Sequence, residues 1–153
     1  MSSLFRTVGA GLAAGVAYLA AQEVDRRLTN PRSDDLILVG GLVTRRPDLW
    51  RPVGLLNHLL AGVTFAFIFD RIVAPRLMGP YWLRGIVTFQ AENAASWPLV
   101  LLIDRFHPAV KTGDLERLNR PVYVAQAAWR HLTFGAVLGL LLAPSGAARS
   151  PEP

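Results

Sequence analysis

The chain has 153 residues, of which 52% are hydrophobic and only 18% are charged, and it contains no cysteine. Soluble domains carry about a quarter charged residues, so this composition excludes a disordered chain and favours a membrane protein. The lack of cysteine excludes disulfides, thiolate nucleophiles and cysteine-ligated zinc or iron–sulfur sites. The length allows one domain, which we assign to residues 1–144.

Four apolar blocks follow one another along the chain and predict four membrane-spanning helices. Each block is close to the roughly 20 residues that a helix needs to cross a bilayer. The predicted spans are about 4–23, 52–70, 82–103 and 121–143. The sequence therefore predicts an all-α fold, an integral membrane four-helix bundle. The remaining residues, 145–153, are small and polar and predict a mobile C-terminal tail.

The first block has two interpretations. Its charged start and apolar centre resemble a signal peptide that is cleaved near Ala21. Gly11 and Gly15 are four residues apart, however, and this spacing favours close packing of a retained helix. We expect a retained first span, and the cleaved alternative stays open.

The first loop, 24–51, contains a short segment with an apolar centre, 34–46. At about ten apolar residues it is too short to span a bilayer, and we expect a short interfacial or re-entrant helix. Ser33, Asp34 or Asp35 is suited to cap its start. In the third loop, 106–119, we expect another short helix around 114–118.

A weak internal repeat relates the second and fourth blocks. When 51–75 is shifted by 69 residues onto 120–144, seven of the 25 positions are identical, among them Arg-Pro-Val at the start. If the repeat is real, the chain consists of two tandem helix hairpins related by a pseudo-twofold axis. Chance similarity between two apolar segments is the alternative, and both stay open.

The net charge of +5 comes from 15 arginines and one lysine against 11 acidic residues. These basic residues form no stripe with interleaved aromatics, so we predict no nucleic-acid partner. They flank apolar spans instead, which fits a multi-pass protein whose partner is the lipid bilayer, and the arginine bias suggests a bacterial cytoplasmic (inner) membrane. Because ten of them lie at the end that carries loops one and three, the positive-inside rule places those loops in the cytoplasm.

A few polar side chains interrupt the predicted spans, and these are the candidate functional residues. Glu92 is near the middle of the third span, Arg130 and His131 lie well inside the fourth, and His58 lies inside the second. Ionisable groups at such depth are costly unless they pair or face water. Counting residues along the spans predicts a buried pair between Glu92 and either Arg130 or His131. Amide side chains accompany this polar layer: Asn57, Asn93 and Gln126.

Two interpretations of the polar layer are open, namely a site for a small ligand or a proton, and a structural contact that fixes helix pairing. Two histidines on different spans also allow bis-histidine haem ligation, although no other cofactor and no metal site is predicted. A further candidate set lies at the end of the third span, where Asp104, Arg105 and His107 suit an interfacial enzyme acting on lipid headgroups. An ordinary loop explains these three residues equally well.

The layout resembles the YagU-like proteins, which are small bacterial inner-membrane proteins. The resemblance rests on the stretch 35–42, on Arg-Pro-Val-Gly at 51–54 and on the Asn57-His58 pair. It implies a four-helix architecture and no particular reaction. We therefore expect a non-enzymatic protein that binds a small ligand or proton, or assembles with itself or with a membrane partner. The alternative is an oligomeric proton-coupled or small-solute transporter.

Overall fold

A computed structural model describes residues 3–29 and 33–144, and the regular elements in these two ranges are all helical. The predicted all-α fold is therefore confirmed. The six α-helices are α1 (Ser3–Thr29), α2 (Asp35–Val43), α3 (Trp50–Ile68), α4 (Tyr81–Phe106), α5 (Pro108–Thr112) and α6 (Pro121–Leu142). The predicted tail 145–153 lies outside the described residues.

Within the residues that the structure describes, three helical stretches are long and apolar enough to cross a membrane. They are Ser3–Thr29, Pro47–Arg76 and Tyr81–Phe106, so the fourth predicted span, α6, is not among them. The helix α6 has the required length of 22 residues, but Gln126, Arg130 and His131 lower its hydropathy. Gln126 and Arg130 are buried inside the protein, so the polarity of α6 is directed inward.

The short helices begin and end where capping groups occur. Asp34 caps α2, because its side chain accepts hydrogen bonds from the backbone N–H groups of Leu36 and Ile37. His107 caps α5, and Gly113, with a φ of 81°, ends it. The helix predicted around 114–118 was therefore wrong, because the cap and the proline at 108 start a helix earlier and Gly113 stops it.

Glycines allow the long helices to pack with their backbones in contact. A Cβ atom on Gly11 of α1 would lie 2.7 Å from the carbonyl oxygen of Gly62 in α3. A Cβ atom on Gly85 of α4 would overlap the carbonyl oxygen of Gly135 in α6. Close backbone approach of this kind is the usual role of small residues between membrane helices. The small-residue face of α1 is thus used within the chain.

The long helices follow the lateral order α3, α1, α6, α4. Consecutive helices in this order are antiparallel. Thr7 near the start of α1 hydrogen-bonds Asp70 beyond the end of α3. Gly85 near the start of α4 meets Gly135 in the second half of α6. The helix α2 folds back onto α3, where Gly54 touches the backbone of Leu36. By contrast, α4 meets the α3 side mainly through the π- and 3₁₀-helical segment Phe69–Arg76, which continues α3. This order leaves cavities between α4 and the other helices, at the end that carries loops one and three.

Candidate functional site

Arg130 of α6 is the centre of a buried network that joins α1, α2 and α6. Its side chain is 2% exposed, and it forms a bidentate ion pair with Asp25 of α1, in which Nε donates to Oδ2 at 2.6 Å and Nη2 donates to Oδ1 at 2.7 Å. The Nη1 atom donates to Gln22 at 3.2 Å and lies 3.1 Å from Oδ1 of Asp35. The Nη2 atom also donates to Ser33 at 2.9 Å. The guanidinium therefore donates four hydrogen bonds and forms a further ion-pair contact with Asp35.

The acidic partners of Arg130 are themselves held by hydrogen bonds. Gln126, one turn before Arg130, donates to Asp25 and to Thr29, each at 2.9 Å. The backbone N–H of Asp35 donates to Gln22 at 2.8 Å. We refer to Gln22, Asp25, Ser33, Asp35, Gln126 and Arg130 as the Arg130 network.

The partner of Arg130 is the main difference from the sequence-based expectation. A Glu92–Arg130 pair was one of two predicted pairings, and it is wrong, because Arg130 binds Asp25 and Asp35 instead. Asp25 lies beyond the predicted end of the first span at residue 23, whereas α1 continues to Thr29. Asp25 has no arginine or lysine three or four residues away on its own helix. This lack of a local partner is the signal in the sequence that favours a partner on another helix.

Glu92 and His131 form the other predicted pair, joining α4 to α6. The Nε2 atom of His131 lies 3.1 Å from Oε2 of Glu92, while Nδ1 donates to the carbonyl oxygen of Ala127 at 2.7 Å. Because a carbonyl oxygen only accepts, Nδ1 carries a proton in this contact. The contact of Nε2 with Glu92 is an ion pair when the imidazole is protonated.

Tyr18 of α1 lies between the two candidate histidines. The centroid of its ring is 4.9 Å from that of His58 and 5.3 Å from that of His131. The Nε2 atom of His58 donates to the carbonyl oxygen of Gly15 at 3.3 Å. The two imidazoles thus face a tyrosine ring and have Nε2 atoms directed at protein oxygens, an arrangement that does not present two facing nitrogen ligands to a haem iron.

A cavity of about 220 Å³ lies beside the Arg130 network, and we call it the main cavity. One part of its wall is polar and comes from Ser33, Asp35, Gln126, Arg130 and His131. The opposite part is apolar. It is formed by side chains of α2, α4 and the third loop, among them Val39, Trp97, Val100, Ile103 and Leu118. Leu99 also lines the cavity and is 56% exposed, so the cavity reaches the outer surface of α4.

Two buried oxygen atoms in the polar wall accept no hydrogen bond within the described residues. They are Oε1 of Gln126 and Oδ2 of Asp35. Gln126 is only 4% exposed, and the two bonds that its Nε2 donates fix which way the amide points. Buried polar atoms usually have a partner, but both oxygens are fully enclosed by neighbouring atoms and are not exposed to the cavity itself.

Asp35 carries a negative charge in this setting. Burial on its own raises the pKa of the carboxyl group. The nearby Arg130 guanidinium and the Tyr18 hydroxyl lower the pKa by a larger amount, so that it lies below its ordinary value. The structure therefore brings two carboxylates, Asp25 and Asp35, to one guanidinium. The sequence predicted Asp35 only as a possible helix cap.

A second cavity, of about 190 Å³, lies deeper between α1, α3, α4 and α6, and we call it the inner cavity. Glu92 and Asn57 line it, whereas Asn93 lines the main cavity. Asn57 donates to the carbonyl oxygen of Val53 in its own helix. Tyr18, Val39, His58 and His131 line both cavities. The predicted polar layer is thus divided into the Arg130 network and the walls of two adjoining cavities.

The second candidate set, at the end of α4, is engaged with the backbone. Asp104 accepts hydrogen bonds from the N–H groups of Leu118 at 2.6 Å and Asn119 at 2.9 Å, and so holds the third loop. His107 is buried, donates from Nε2 to Leu38 at 2.9 Å and accepts at Nδ1 from Ala109 at 3.2 Å. Arg105 stacks over the ring of Phe106. These contacts give Asp104 and His107 structural roles.

No family model, curated protein or solved structure matches this chain. The resemblance to YagU-like proteins therefore stays a prediction. The geometry of the polar side chains is the basis for the functional proposals that follow.

Proposed function

We propose that the chain is a four-span membrane protein whose helix bundle binds a small molecule in the main cavity. The observation that carries this proposal is the main cavity itself, about 220 Å³ in volume, whose wall combines many apolar side chains with a few polar ones, among them Asp35 and Asn93. Such a cavity, mostly apolar with a few polar groups, is typical of small-molecule sites. The alternative of a purely structural polar layer explains the Arg130 network but not the cavity beside it.

The fourth span is part of this proposal. The helix α6 packs along α4 and α1 and is antiparallel to both, so it extends over the same depth as they do. Its 22 residues correspond to about 33 Å of helix, enough to cross the hydrocarbon core. Gln126 and Arg130 are directed into the bundle, which makes a low mean hydropathy tolerable.

Single-cysteine labelling tests the number of spans, because the chain has no cysteine of its own. Cysteines at Met78, Lys111 and Pro144 are exposed in turn to a membrane-impermeant maleimide in sealed, oriented vesicles. Four spans predict that Met78→Cys and Pro144→Cys react from one side and that Lys111→Cys reacts from the other. Labelling of Pro144→Cys from the same side as Lys111→Cys would refute the fourth span.

Quenching of tryptophan fluorescence tests the binding proposal. A Trp82→Phe/Trp129→Phe background removes two exposed indoles and retains Trp97 in the cavity wall and the buried Trp50. In lipid nanodiscs we expect 6-bromohexan-1-ol to quench Trp97 saturably. Adding Ala127→Leu, which fills the cavity, is expected to abolish the saturable component.

The matched control for this filling variant is Ala125→Leu. Ala125 lies on the same helix, is exposed and does not line the main cavity, so saturable quenching is expected to persist. Equal quenching in both leucine variants would show that the quencher acts from the lipid, and it would refute binding in the cavity.

A further inference from the structure

We infer that the loop-three end of the bundle carries a binding site for an anionic membrane phospholipid, whose phosphate lies among arginine side chains and whose acyl chain lies along α6. The site is separate from the main cavity, because the two grooves that form it share no lining residue with that cavity. The inference rests on the membrane placement proposed above and not on a ligand in the main cavity.

The first groove has a volume of about 420 Å³, and we call it the arginine groove. It is lined by Leu101, Asp104, Arg105, Arg117, Asn119 and Arg120. Arg105 belongs to the last turn of α4 and Arg120 directly precedes α6, so the groove lies where two long helices end and begin. Charged side chains at the ends of membrane helices reach the level of the lipid headgroups, and we expect this groove at that level.

Two of the arginines in this groove have no acidic partner. Other described arginines at this end of the bundle are paired: Arg26 and Arg51 with Asp34, Arg27 with Glu23, Arg46 with Asp48 and Arg120 with Glu116. Within the described residues, Arg105 and Arg117 form no ion pair and donate no side-chain hydrogen bond, although Arg105 stacks over Phe106. Their guanidinium N–H groups are therefore open to an anion from outside the chain.

The charges at the arginine groove leave a net positive charge. The carboxylate of Asp104 accepts hydrogen bonds from two backbone N–H groups of the third loop, and Glu116 pairs with Arg120 at 2.9 Å. Three guanidinium groups thus stand against two carboxylates, which leaves one positive charge for the ligand. A phosphate diester carries one negative charge, and the planar guanidinium donates to two of its oxygens at once.

A second groove, of about 460 Å³, continues from the first, because Asn119 and Arg120 line both. We call it the α6 groove. It passes Pro121 and Val124 and reaches Ala128, and these residues share one face of α6 because they are three and four positions apart. Beyond Arg120 its lining is apolar, and Val124 is 45% exposed. An acyl chain would follow this groove towards the bilayer centre while its phosphate stays beside Arg120.

The combination of the two grooves favours an anionic lipid over the other sources of a phosphate. A soluble phosphate would use the arginines but would leave the apolar α6 groove empty. A zwitterionic lipid carries its own cation beside the phosphate, so its net charge of zero does not match the positive groove. Leu101 in the arginine groove is 57% exposed, so the groove opens towards the lipid. Basic pockets between membrane helices are typical sites for anionic headgroups.

Competition between two lipids with identical acyl chains tests the inference. The purified protein in mild detergent is titrated with equal amounts of palmitoyl-oleoyl phosphatidylglycerol and phosphatidylcholine, and native mass spectrometry counts the lipid molecules that stay bound. We expect one bound phosphatidylglycerol, with about a tenfold preference over phosphatidylcholine. Equal retention of the two lipids would refute recognition by charge.

The decisive variant is Arg105→Gln/Arg117→Gln, which removes the two unpaired cations of the groove. We expect it to lose most of the preference for phosphatidylglycerol. The charge-matched control is Arg27→Gln/Arg45→Gln, at exposed arginines of the same end that line neither groove, and it is expected to retain the preference. An equal loss in both variants would show that only net charge matters, and it would refute the site. Unfolding midpoints establish that both variants are folded.

A filling variant tests the acyl chain. Ala128→Leu narrows the α6 groove and is expected to lower phosphatidylglycerol retention several-fold, whereas Ala91→Leu, at an exposed position of α4 outside both grooves, should leave it unchanged. Unchanged retention in Ala128→Leu would refute the position of the chain.

Soluble phosphate is the last arm of the test. Full displacement of the lipid by millimolar glycerol phosphate would identify a site for a soluble anion and would refute the lipid. Quenching of Trp97 by 6-bromohexan-1-ol reports on the main cavity and is expected to be the same in the arginine variants as in their parent. A failure of the lipid site is therefore distinguishable from a failure of binding in the main cavity.

Discussion

We predict that Arg130 is energetically coupled to Asp25 and not to Glu92. Arg130→Met would leave the buried carboxylates of Asp25 and Asp35 without their cation, and breaking a buried pair in this way costs about 3–5 kcal/mol. Asp25→Leu would remove the three side-chain hydrogen bonds that this carboxylate accepts, two from Arg130 and one from Gln126, but Asp35, Gln22 and Ser33 would still contact the guanidinium. We therefore expect Arg130→Met to be the more destabilising single change.

The double variant distinguishes the partners. Once Arg130 is absent, Asp25→Leu also removes an unpaired buried charge. The destabilisation of the double variant should therefore be about 2–3 kcal/mol smaller than the sum of the two single effects. This coupling is well above the roughly 0.6 kcal/mol typical of hydrogen bonds between membrane helices. Glu92→Gln with Arg130→Met should be additive within about 0.5 kcal/mol, because these side chains share no contact.

The assay for this cycle is reversible unfolding in mixed micelles with increasing dodecyl sulfate, followed by the helical circular dichroism signal. Each corner of both cycles is measured under one lipid and detergent composition. A coupling below about 1 kcal/mol between Asp25 and Arg130, or an equally large coupling between Glu92 and Arg130, would refute the buried network as described.

Three further predictions follow from other contacts. Gly85→Ala should destabilise the protein by more than about 1–3 kcal/mol, because the added methyl group meets the carbonyl oxygen of Gly135. Gly9→Ala, whose methyl group would have no neighbour within 4 Å, should be neutral or slightly stabilising in the same unfolding assay. Glu92→Gln should leave stability nearly unchanged, because an amide still offers His131 Nε2 a hydrogen-bond partner, whereas Glu92→Leu should cost about 1–3 kcal/mol. Equal effects of the two changes would contradict a polar contact between Glu92 and His131. Burial lowers the pKa of His107, although the hydrogen bond to Leu38 opposes this effect. The unfolded state therefore takes up the proton first, and stability should fall as the pH drops below about 6.5. Unfolding midpoints measured across that pH range should show a weaker dependence for His107→Gln.

The sequence located the helices because hydropathy, prolines and capping residues act locally. Asp34 was one of three predicted caps, and it is the one that receives the N–H groups of α2. The Glu92–His131 contact was one of two pairings allowed by depth, since residues on antiparallel helices at similar depth are able to meet. The interpretation of the end of α4 as an ordinary loop also agrees with the contacts of Asp104 and His107.

The partner of Arg130 required the lateral order of the helices, which depth along the chain does not contain. Asp25 reaches Arg130 because α1 continues beyond the predicted span to Thr29. In addition, α1 lies next to α6, while glycines bring α1 against α3 and α6 against α4. The position of α2 was likewise decided by tertiary packing, since Gly54 admits its backbone beside α3 and this places Asp35 against Arg130.

The low charge fraction and the four apolar blocks were properties of the sequence alone, because hydropathy is a sum over neighbouring residues. Which of the few buried charges meet, and which acceptors remain open, depends on side chains that are up to 108 positions apart, such as Gln22 and Arg130. Only the packed helices determine that Arg130 is held by Asp25, Gln22, Ser33 and Asp35, and that Oε1 of Gln126 accepts no hydrogen bond within the described residues. The physical reason is that hydrogen-bond satisfaction is a property of contacts between helices and not of any one segment.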